Sequence, residues 1–228
     1  MNIALVLAGG IGLRMKTERP KQFMPLLGKP VISHSLLSFQ QHSLIDAMYI
    51  VCHKEWIDQM NVLFDPVYGF SKLKAVVSGG NSRRESSYLG LKEIANKYHK
   101  SDIVLIHDAA RPNLSQKIIT DNINAATKFG ACVTAIPATD TMFISKDGKL
   151  IHGVPKRSAM FAAQTPQSFQ LENILNAHEA VSQDEEVTDD AGLLLKLDLP
   201  VALVEGDKKN IKLTTEEDFF LLQKYMGL

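Results

Sequence analysis

The sequence predicts an α/β fold built on a doubly wound, mostly parallel sheet, and three observations lead to that prediction. Short, unbroken apolar runs alternate along the chain with stretches that carry apolar residues at helical spacing. A glycine cluster directly follows the first apolar run, residues 3–7. The chain has 228 residues, which is enough for one sizeable core. Such alternation is typical of parallel sheets, whose ligands bind beyond the carboxyl ends of the strands.

The predicted elements follow from these periodicities. Strands are expected at residues 3–7, 47–52, 73–77, 103–106, 131–136 and 201–204. Helices are expected at residues 31–39, 55–64, 84–98, 115–128, 171–181, 189–197 and after residue 215. The hydroxyls of Ser115 and Thr215 are positioned to cap two of these helices.

The alternation of strand-like and helix-like stretches is interrupted between residues 139 and 163. Two short strand-like pieces, residues 140–145 and 149–152, flank the sequence Lys146-Asp147-Gly148, which predicts a β-hairpin. We expect a single domain over residues 1–228, from which a β-arm projects at about residues 139–157.

Composition excludes several classes of protein. Lys and Arg together number 25, as do Asp and Glu, so the broad basic surface of a general nucleic-acid binder is not expected. Cys52 and Cys132 stand in apolar, strand-like contexts that suit a reducing compartment better than a disulfide framework. No apolar run approaches the roughly 18 residues of a membrane span, and no cleavable leader is recognisable. These features predict a soluble, cytoplasmic protein without nucleic-acid or membrane partners.

The glycine cluster predicts a phosphate site. Gly9, Gly10 and Gly12 allow a ligand to approach the backbone closely, and Arg14 and Lys21 bring positive charge to the same place. The Walker A ending and the G-x-G-x-x-G dinucleotide fingerprint are both absent from this stretch. A ligand-free turn is the alternative, and the two cations favour a nucleoside triphosphate site.

A carboxylate follows the strand at residues 103–106. Asp108 would face the same crevice as the glycine loop, and Mg²⁺ commonly binds one or two carboxylates together with substrate phosphates. We therefore predict that Asp108 holds a divalent metal. The alternative is an Asp108–Arg111 pair that shapes the turn, and His107 is expected to be structural.

Two further groups of polar residues are candidates for substrate contacts. Gly80 and Ser86 belong to a loop that follows a strand and enters a predicted helix, where they could meet a base or ribose. A second anionic site is suggested by residues that are scattered through the second half of the chain: Arg157, Thr165, Thr188 and Lys212. Each of these could instead be an ordinary surface residue.

Together these motifs resemble the 2-C-methyl-D-erythritol 4-phosphate cytidylyltransferase family, including its relatives the ribitol-5-phosphate cytidylyltransferases. The resemblance covers nearly the whole chain. It rests on the ordered segments Leu7-Ala-Gly-Gly-x-Gly-x-Arg-Met15, Pro20-Lys-Gln-Phe23, Gly79-Gly80-x-x-Arg83-x-x-Ser86, His107-Asp-Ala-Ala-Arg-Pro112, Asp140-Thr141, Gln164-Thr-Pro-Gln167, Thr188-Asp189 and Asn210-Ile-Lys212.

The resemblance implies a Rossmann-like fold of the nucleotide-diphospho-sugar transferase type, a homodimer formed through the arm, and transfer of CMP from CTP to a polyol phosphate with Mg²⁺. Its implied catalytic residues are Arg14, Lys21 and Lys212, and its implied metal ligand is Asp108. Its implied nucleotide-binding residues are Ala8, Gly9, Gly10, Gly12, Gly80, Ser86 and Ala109. Its implied acceptor-binding residues are Thr141, Arg157, Thr165 and Thr188.

The identity of the acceptor is the point at which the motifs diverge. Ala8-Gly9-Gly10 and Phe143 look more like the ribitol branch, whereas the segments at residues 107–112 and 188–191 look closer to the methylerythritol branch. The balance favours 2-C-methyl-D-erythritol 4-phosphate, as in isoprenoid precursor biosynthesis, with D-ribitol 5-phosphate as the alternative. Two other hypotheses are a hexose-1-phosphate nucleotidyltransferase and a non-catalytic nucleotide-sensing domain. A nucleotide-sensing domain would be expected to lose Lys21, Asp108 or Lys212, and all three are present.

Overall fold

The computed structural model describes residues 1–10, 20–182 and 184–227. The predicted phosphate-loop residues Gly12 and Arg14 lie outside the described residues.

The described elements alternate between strands and helices. The strands are β1 (Asn2–Ala8), β2 (Pro25–Leu26), β3 (Lys29–Pro30), β4 (Ala47–Cys52), β5 (Leu73–Ser78), β6 (Ile103–Asp108), β7 (Ala131–Pro137), β8 (Phe161–Gln170) and β9 (Ala202–Glu205). The α-helices are α1 (Val31–Gln41), α2 (Ile57–Asn61), α3 (Arg83–Ala95), α4 (Gln116–Phe129), α5 (Leu171–Ala180), α6 (Asp190–Leu195) and α7 (Glu216–Met226). Short 3-10 segments occur at Lys21–Phe23, Lys54–Trp56, Val62–Phe64, Pro66–Tyr68 and Arg157–Ala159.

Seven strands form one sheet in the order β5-β4-β1-β6-β8-β7-β9. The pairs β5/β4, β4/β1, β1/β6 and β7/β9 are parallel, whereas β8 is antiparallel to both β6 and β7. The prediction of a mostly parallel sheet is thus confirmed. Because β8 runs antiparallel to β6, its first residues lie at the same edge of the sheet as the carboxyl ends of β1 and β6.

Helices cover both faces of the sheet, as a doubly wound fold requires. Alternate residues of β1 point to opposite faces: Ala4 and Val6 pack with α1 and α4, and Ile3 and Leu5 pack with α3 and α5. A third, smaller apolar cluster places α7 against the segment around Leu213. Thr215 caps α7 in a capping box with Asp218, and Ser115 caps α4, as predicted.

One predicted element is corrected, and one observed strand has no counterpart among the predicted elements. The helix expected at residues 55–64 is instead a 3-10 turn, the short helix α2 and a second 3-10 turn. The segment around Gln164-Thr-Pro-Gln167 was not predicted as a strand, yet it is the centre of β8. Its sequence lacks an apolar alternation and contains Pro166, which has no backbone donor for the ladder. The pairing with β7 skips residues 164–166, and the Thr134 hydroxyl donates to the Pro166 carbonyl oxygen there.

The arm connects β7 to β8, but it is less regular than predicted. The two expected strands are reduced to a single antiparallel bridge between Ile144 and Gly153. Asp147 forms the expected turn, since its carboxylate accepts hydrogen bonds from the Lys149 and Leu150 amides at 2.9 Å. A two-stranded hairpin without a third strand or a facing layer is marginal, which accounts for the loss of regular pairing.

In the described parts of the chain, the helices are all too short or too polar to cross a lipid bilayer.

Candidate functional site

A cavity of about 290 Å³ lies at the carboxyl edge of the sheet, beyond β1, β5 and β6. The residues that line it come from the glycine loop, the start of α3, the end of β6 and the segment before α7: Leu7, Gly9, Gly10, Lys21, Gly80, Asn81, Ser82, Arg83, Ser86, Asp108, Ala110 and Lys212. Residues from five separate sequence motifs thus line one cavity.

The turn after β5 is held close to α3. The Gly80 amide donates to the Ser86 hydroxyl at 3.1 Å. A Cβ atom on Gly79 would lie 2.8 Å from the Ser86 hydroxyl oxygen and 3.3 Å from the Cys52 carbonyl oxygen. The turn therefore needs glycine at residue 79, and it presents backbone groups and the Ser86 hydroxyl to the cavity.

Lys21 also lines this cavity. Its ammonium group donates to the Leu213 carbonyl oxygen at 2.8 Å, beside Lys212. The neighbouring Gln22 is buried, and its amide donates to the Ala8 carbonyl oxygen at 2.9 Å. Gln22 therefore ties the residues that carry Lys21 to the end of β1.

Asp108 stands between two cations. Its Oδ2 accepts from the Lys212 ammonium at 2.6 Å, and its Oδ1 lies 3.7 Å from Nε of Arg83. Burial would raise the pKa of Asp108, but the charges of Arg83 and Lys212 hold it below its usual range. The carboxylate is therefore ionised at neutral pH. Arg111, the alternative partner considered from sequence, donates instead to the Asn210 and Ala163 carbonyl oxygens.

Buried neighbours fix the end of β6. His107 lies between the Arg111 carbonyl oxygen and the Thr165 hydroxyl, at 3.0 Å from each, and burial lowers its pKa to about 4. A neutral, enclosed imidazole agrees with the structural role predicted for His107. The Thr165 hydroxyl also accepts from the Asp108 amide at 3.1 Å. Thr165 thus helps to fix the position of Asp108, the predicted metal ligand.

A second cavity of about 260 Å³ adjoins the first, and both have Arg83, Asp108 and Lys212 in their walls. The remaining lining residues come chiefly from β8 and the start of α6: Arg111, Ala163, Gln164, Thr165, Gln167, Thr188 and Asp189. This arrangement can place two anionic groups on either side of one Asp–Lys–Arg cluster. Such a geometry suits transfer between two phosphates.

Four described residues of the predicted site stand apart from these walls: Ala8, Ala109, Thr141 and Arg157. Ala8 is buried, and its carbonyl oxygen accepts from Gln22. Thr141 and Arg157 belong to the arm, and within the described chain they do not line either cavity. The Arg157 guanidinium donates to the Thr139 carbonyl oxygen at 3.5 Å. Ala109 is buried, and its amide donates to the Leu7 carbonyl oxygen at 3.0 Å.

Two residues of the site have no role in the sequence-based assignment. Arg83 was noted only as part of a glycine motif, and Asp190 only as part of Thr188-Asp189-Asp190, yet they form an ion pair at 2.6 Å. The Gly-Gly-x-x-Arg spacing could have drawn attention to Arg83. Nothing in the sequence indicates its partner, because the two residues are 107 positions apart.

A doubly wound sheet with polar cavities beyond the carboxyl ends of its strands is typical of nucleotide-binding enzymes. The profile of the IspD family, 2-C-methyl-D-erythritol 4-phosphate cytidylyltransferase, matches residues 2–227. The chain belongs to this family and is a cytidylyltransferase.

Relatives of two kinds are similar to the chain. The ribitol-5-phosphate cytidylyltransferase of Vibrio parahaemolyticus serotype O3:K6 is 37% identical over 226 residues, which cover 98% of this chain and 94% of that protein. The 2-C-methyl-D-erythritol 4-phosphate cytidylyltransferase of Syntrophotalea carbinolica is 39% identical over 224 residues, with 97% and 94% covered. Sequence identity alone therefore does not separate the two branches.

The fold is shared with solved structures. The crystal structure of 4-diphosphocytidyl-2C-methyl-D-erythritol synthase from Anaerococcus prevotii has a TM-score of 0.83 at 29% identity, with 100% of this chain and 96% of that chain covered. The 2-C-methyl-D-erythritol 4-phosphate cytidylyltransferase from Francisella tularensis has a TM-score of 0.80 at 28% identity, with 99% and 98% covered.

Proposed function

We propose that this cytidylyltransferase transfers CMP from CTP to 2-C-methyl-D-erythritol 4-phosphate and releases pyrophosphate, a step of isoprenoid precursor biosynthesis. The observation that carries the proposal is the Asp108–Lys212 pair, at 2.6 Å, in the wall common to both cavities. CTP would occupy the cavity beside the glycines, and the acceptor phosphate the cavity beside β8 and Thr188.

The chemistry requires little proton transfer. An oxygen of the acceptor phosphate attacks the α-phosphorus of CTP, a new P–O bond forms, and the bond to the leaving pyrophosphate breaks. Because the acceptor phosphate is already ionised, catalysis consists mainly of alignment and of stabilising the negative charge that develops. Lys21 and Lys212 would both supply positive charge to the α-phosphate, and we assign the same role to Arg14.

Asp108 fits a magnesium site that has a single protein carboxylate. Within residues 1–10, 20–182 and 184–227, no group of three or more His, Cys, Asp or Glu side chains forms a preformed metal cage. A site of one carboxylate completed by substrate phosphates is common for Mg²⁺, and Asp108 at the cavity wall meets that description. Bound there, Mg²⁺ would neutralise charge on the triphosphate. Asp108 would hold it, while Thr165 fixes the Asp108 backbone amide and Arg83 faces the carboxylate.

D-ribitol 5-phosphate is the second candidate acceptor. It is favoured by Gly9 and Phe143, which look like the ribitol branch, and by the 37% identity to a ribitol-5-phosphate cytidylyltransferase. The deciding experiment measures pyrophosphate release from CTP with each polyol phosphate side by side. Faster turnover, by kcat/KM, of the ribitol substrate would replace the methylerythritol assignment.

The nucleotide half of the proposal predicts a role for Ser86 in binding. Ser86→Ala removes the hydroxyl that faces the cavity and accepts the Gly80 amide, so we expect the KM for CTP to rise about three- to tenfold. The kcat should change less than the KM. Steady-state kinetics with CTP varied will test this, with the exposed Ser101→Ala as control; an unchanged KM would remove Ser86 from the binding site.

We also propose a homodimer formed through the arm, in which Thr141 and Arg157 complete the acceptor site of the partner. Met142, Phe143, Ile144, Leu150, Ile151 and Val154 are all exposed in the single chain. An apolar, weakly paired arm is a recognised sign of an interface, and a two-fold related copy would cover both arms. A cytoplasmic location stays a prediction.

Ile144→Asp is expected to weaken association and to lower activity, because it places a charge in the proposed interface. Sedimentation at micromolar concentration and turnover measured on the same samples will test this. Val67→Asp is the matched control, since Val67 is 81% exposed and lies far along the chain from the arm. A wild-type protein that is monomeric and fully active would contradict the dimer. A weakened dimer with full activity would contradict only the link between the arm and the acceptor site.

A further inference from the structure

A buried carboxylate lies behind the wall that the two cavities have in common. Asp190, the first residue of α6, is 1% exposed. Its Oδ1 accepts from the Ser87 hydroxyl at 2.6 Å, and its Oδ2 accepts from Nη1 of Arg83 at 2.6 Å. Burial would raise the pKa of Asp190, but the Arg83 charge and the neighbouring hydrogen bonds hold it well below its usual range.

Arg83 extends from this carboxylate to the reaction site. One end of its guanidinium is bonded to Asp190, while Nε lies 3.7 Å from Oδ1 of Asp108. The side chain lines both cavities. Arg83 and Lys212 therefore contact different oxygens of Asp108, which defines the plane of that carboxylate.

The start of α6 is firmly attached to the sheet. Asp189 caps the helix through the Gly192 amide at 2.9 Å and accepts from the Gln167 side-chain amide at 2.8 Å. Gln167 in turn accepts from the Ala191 amide at 3.1 Å. These bonds fix α6 against β8 and hold Asp190 in a defined position.

We propose that Asp190 is a positioning residue for cytidylyl transfer, which acts through Arg83 to orient the Asp108 carboxylate between the two substrate cavities. The inference rests on the proposed function, because that function places the reacting phosphates beside Asp108 and Lys212. Asp190 itself is buried and lines neither of these two cavities, so its effect passes through the Arg83 guanidinium.

The chemistry of arginine makes this role specific. A planar guanidinium can bond one carboxylate through Nη1 while Nε faces another, whereas a lysine ammonium is a single point charge. If the Asp190 charge is removed, Arg83 loses the partner that fixes its direction and can turn toward Asp108. Arg83 would then compete with Lys212 for the Asp108 carboxylate.

A purely structural role makes a different prediction. A buried ion pair that only supports the fold changes stability when it is broken and leaves the turnover of the folded enzyme alone. The two roles are therefore separated by kcat measured on folded protein, together with the melting temperature.

The test compares Asp190→Asn, Arg83→Lys and the double variant. Asp190→Asn keeps the shape and an acceptor for Ser87 but removes the charge that holds Arg83. We expect kcat to fall about ten- to a hundredfold, with the KM for CTP within about threefold of wild type. Because both changes act through one guanidinium, the double variant should be no more than about threefold slower than the slower single variant.

Glu185→Gln is the matched control, because it breaks an exposed ion pair with Lys196 at 2.8 Å in the same part of the fold. It should leave kcat unchanged. Assays of the wild-type enzyme with each polyol phosphate test the proposed acceptor independently of the variants. The variants are then compared with the acceptor that the wild type uses.

Two results would overturn the inference: folded Asp190→Asn with kcat within twofold of wild type, or independent effects that multiply in the double variant. Should Asp190→Asn fail to fold, Ser87→Ala provides the second measurement, since it removes one hydrogen bond to Asp190 and leaves every charge in place. A three- to tenfold lower kcat is expected for Ser87→Ala, and an unchanged kcat would reject the positioning role.

Discussion

Replacement of Lys21 by alanine is expected to lower kcat at least about a hundredfold while the protein stays folded. Lys21 lines the nucleotide cavity, and its ammonium group lies beside the segment that carries Lys212. Removal of one preorganised group that stabilises developing charge typically costs about a hundred- to a thousandfold in turnover. Steady-state kinetics and circular dichroism on the same preparation will measure both quantities.

A second substitution separates charge from hydrogen bonding at this position. Lys21→Gln keeps a donor for the Leu213 carbonyl oxygen but removes the charge. If the positive charge of Lys21 stabilises the reacting phosphates, Lys21→Gln should be nearly as slow as Lys21→Ala. Recovery of most of the wild-type rate by glutamine would assign Lys21 to anchoring of the Leu213 segment instead. Lys117→Ala, a surface lysine on α4, is the control for loss of a positive charge.

The parts of the fold that sequence predicts well are those in which local pattern and tertiary position agree. The strand at Ala47–Cys52 is predicted with its exact limits, because it is apolar on both faces and lies inside the sheet. β8 was missed because its residues are polar and include Pro166, and only its neighbours β6 and β7 make it a strand. The arm was predicted as a regular hairpin because its turn signal is strong, although a turn alone does not stabilise two exposed strands.

The same distinction applies to the site. Gly9 and Gly80 follow strands, Asp108 ends one, and Ser86 lies in the first turn of the helix after β5. The carboxyl ends of neighbouring parallel strands meet at one edge, so the convergence of these residues follows from the topology. The Arg83–Asp190 pair does not follow from that rule, because it depends on how α6 packs behind α3. Long-range pairing of charges requires the three-dimensional structure, whereas the position of a residue at a strand end requires only the order of elements.

Asp108→Asn is expected to give the largest loss, at least about a thousandfold in turnover at any magnesium concentration. Asparagine preserves the size of the side chain and can still accept from Lys212. Its neutral amide oxygen is a poorer ligand for a hard cation than a carboxylate, and it no longer neutralises the adjacent Arg83 and Lys212. Both the proposed metal site and the charge balance of the shared wall are therefore lost together.

A magnesium titration of activity distinguishes these two contributions. If Asp108 binds the metal, Asp108→Asn should require more Mg²⁺ for half-maximal rate, whereas Lys212→Met, which removes the partner and leaves the carboxylate, should keep the wild-type magnesium requirement at a much lower rate. Asp121→Asn is the control, because it neutralises an exposed carboxylate of α4. An Asp108→Asn enzyme with the wild-type half-saturating magnesium and the wild-type maximal rate would exclude Asp108 as the ligand. A normal magnesium requirement with a low rate would instead assign Asp108 to holding Lys212 against the reacting phosphates.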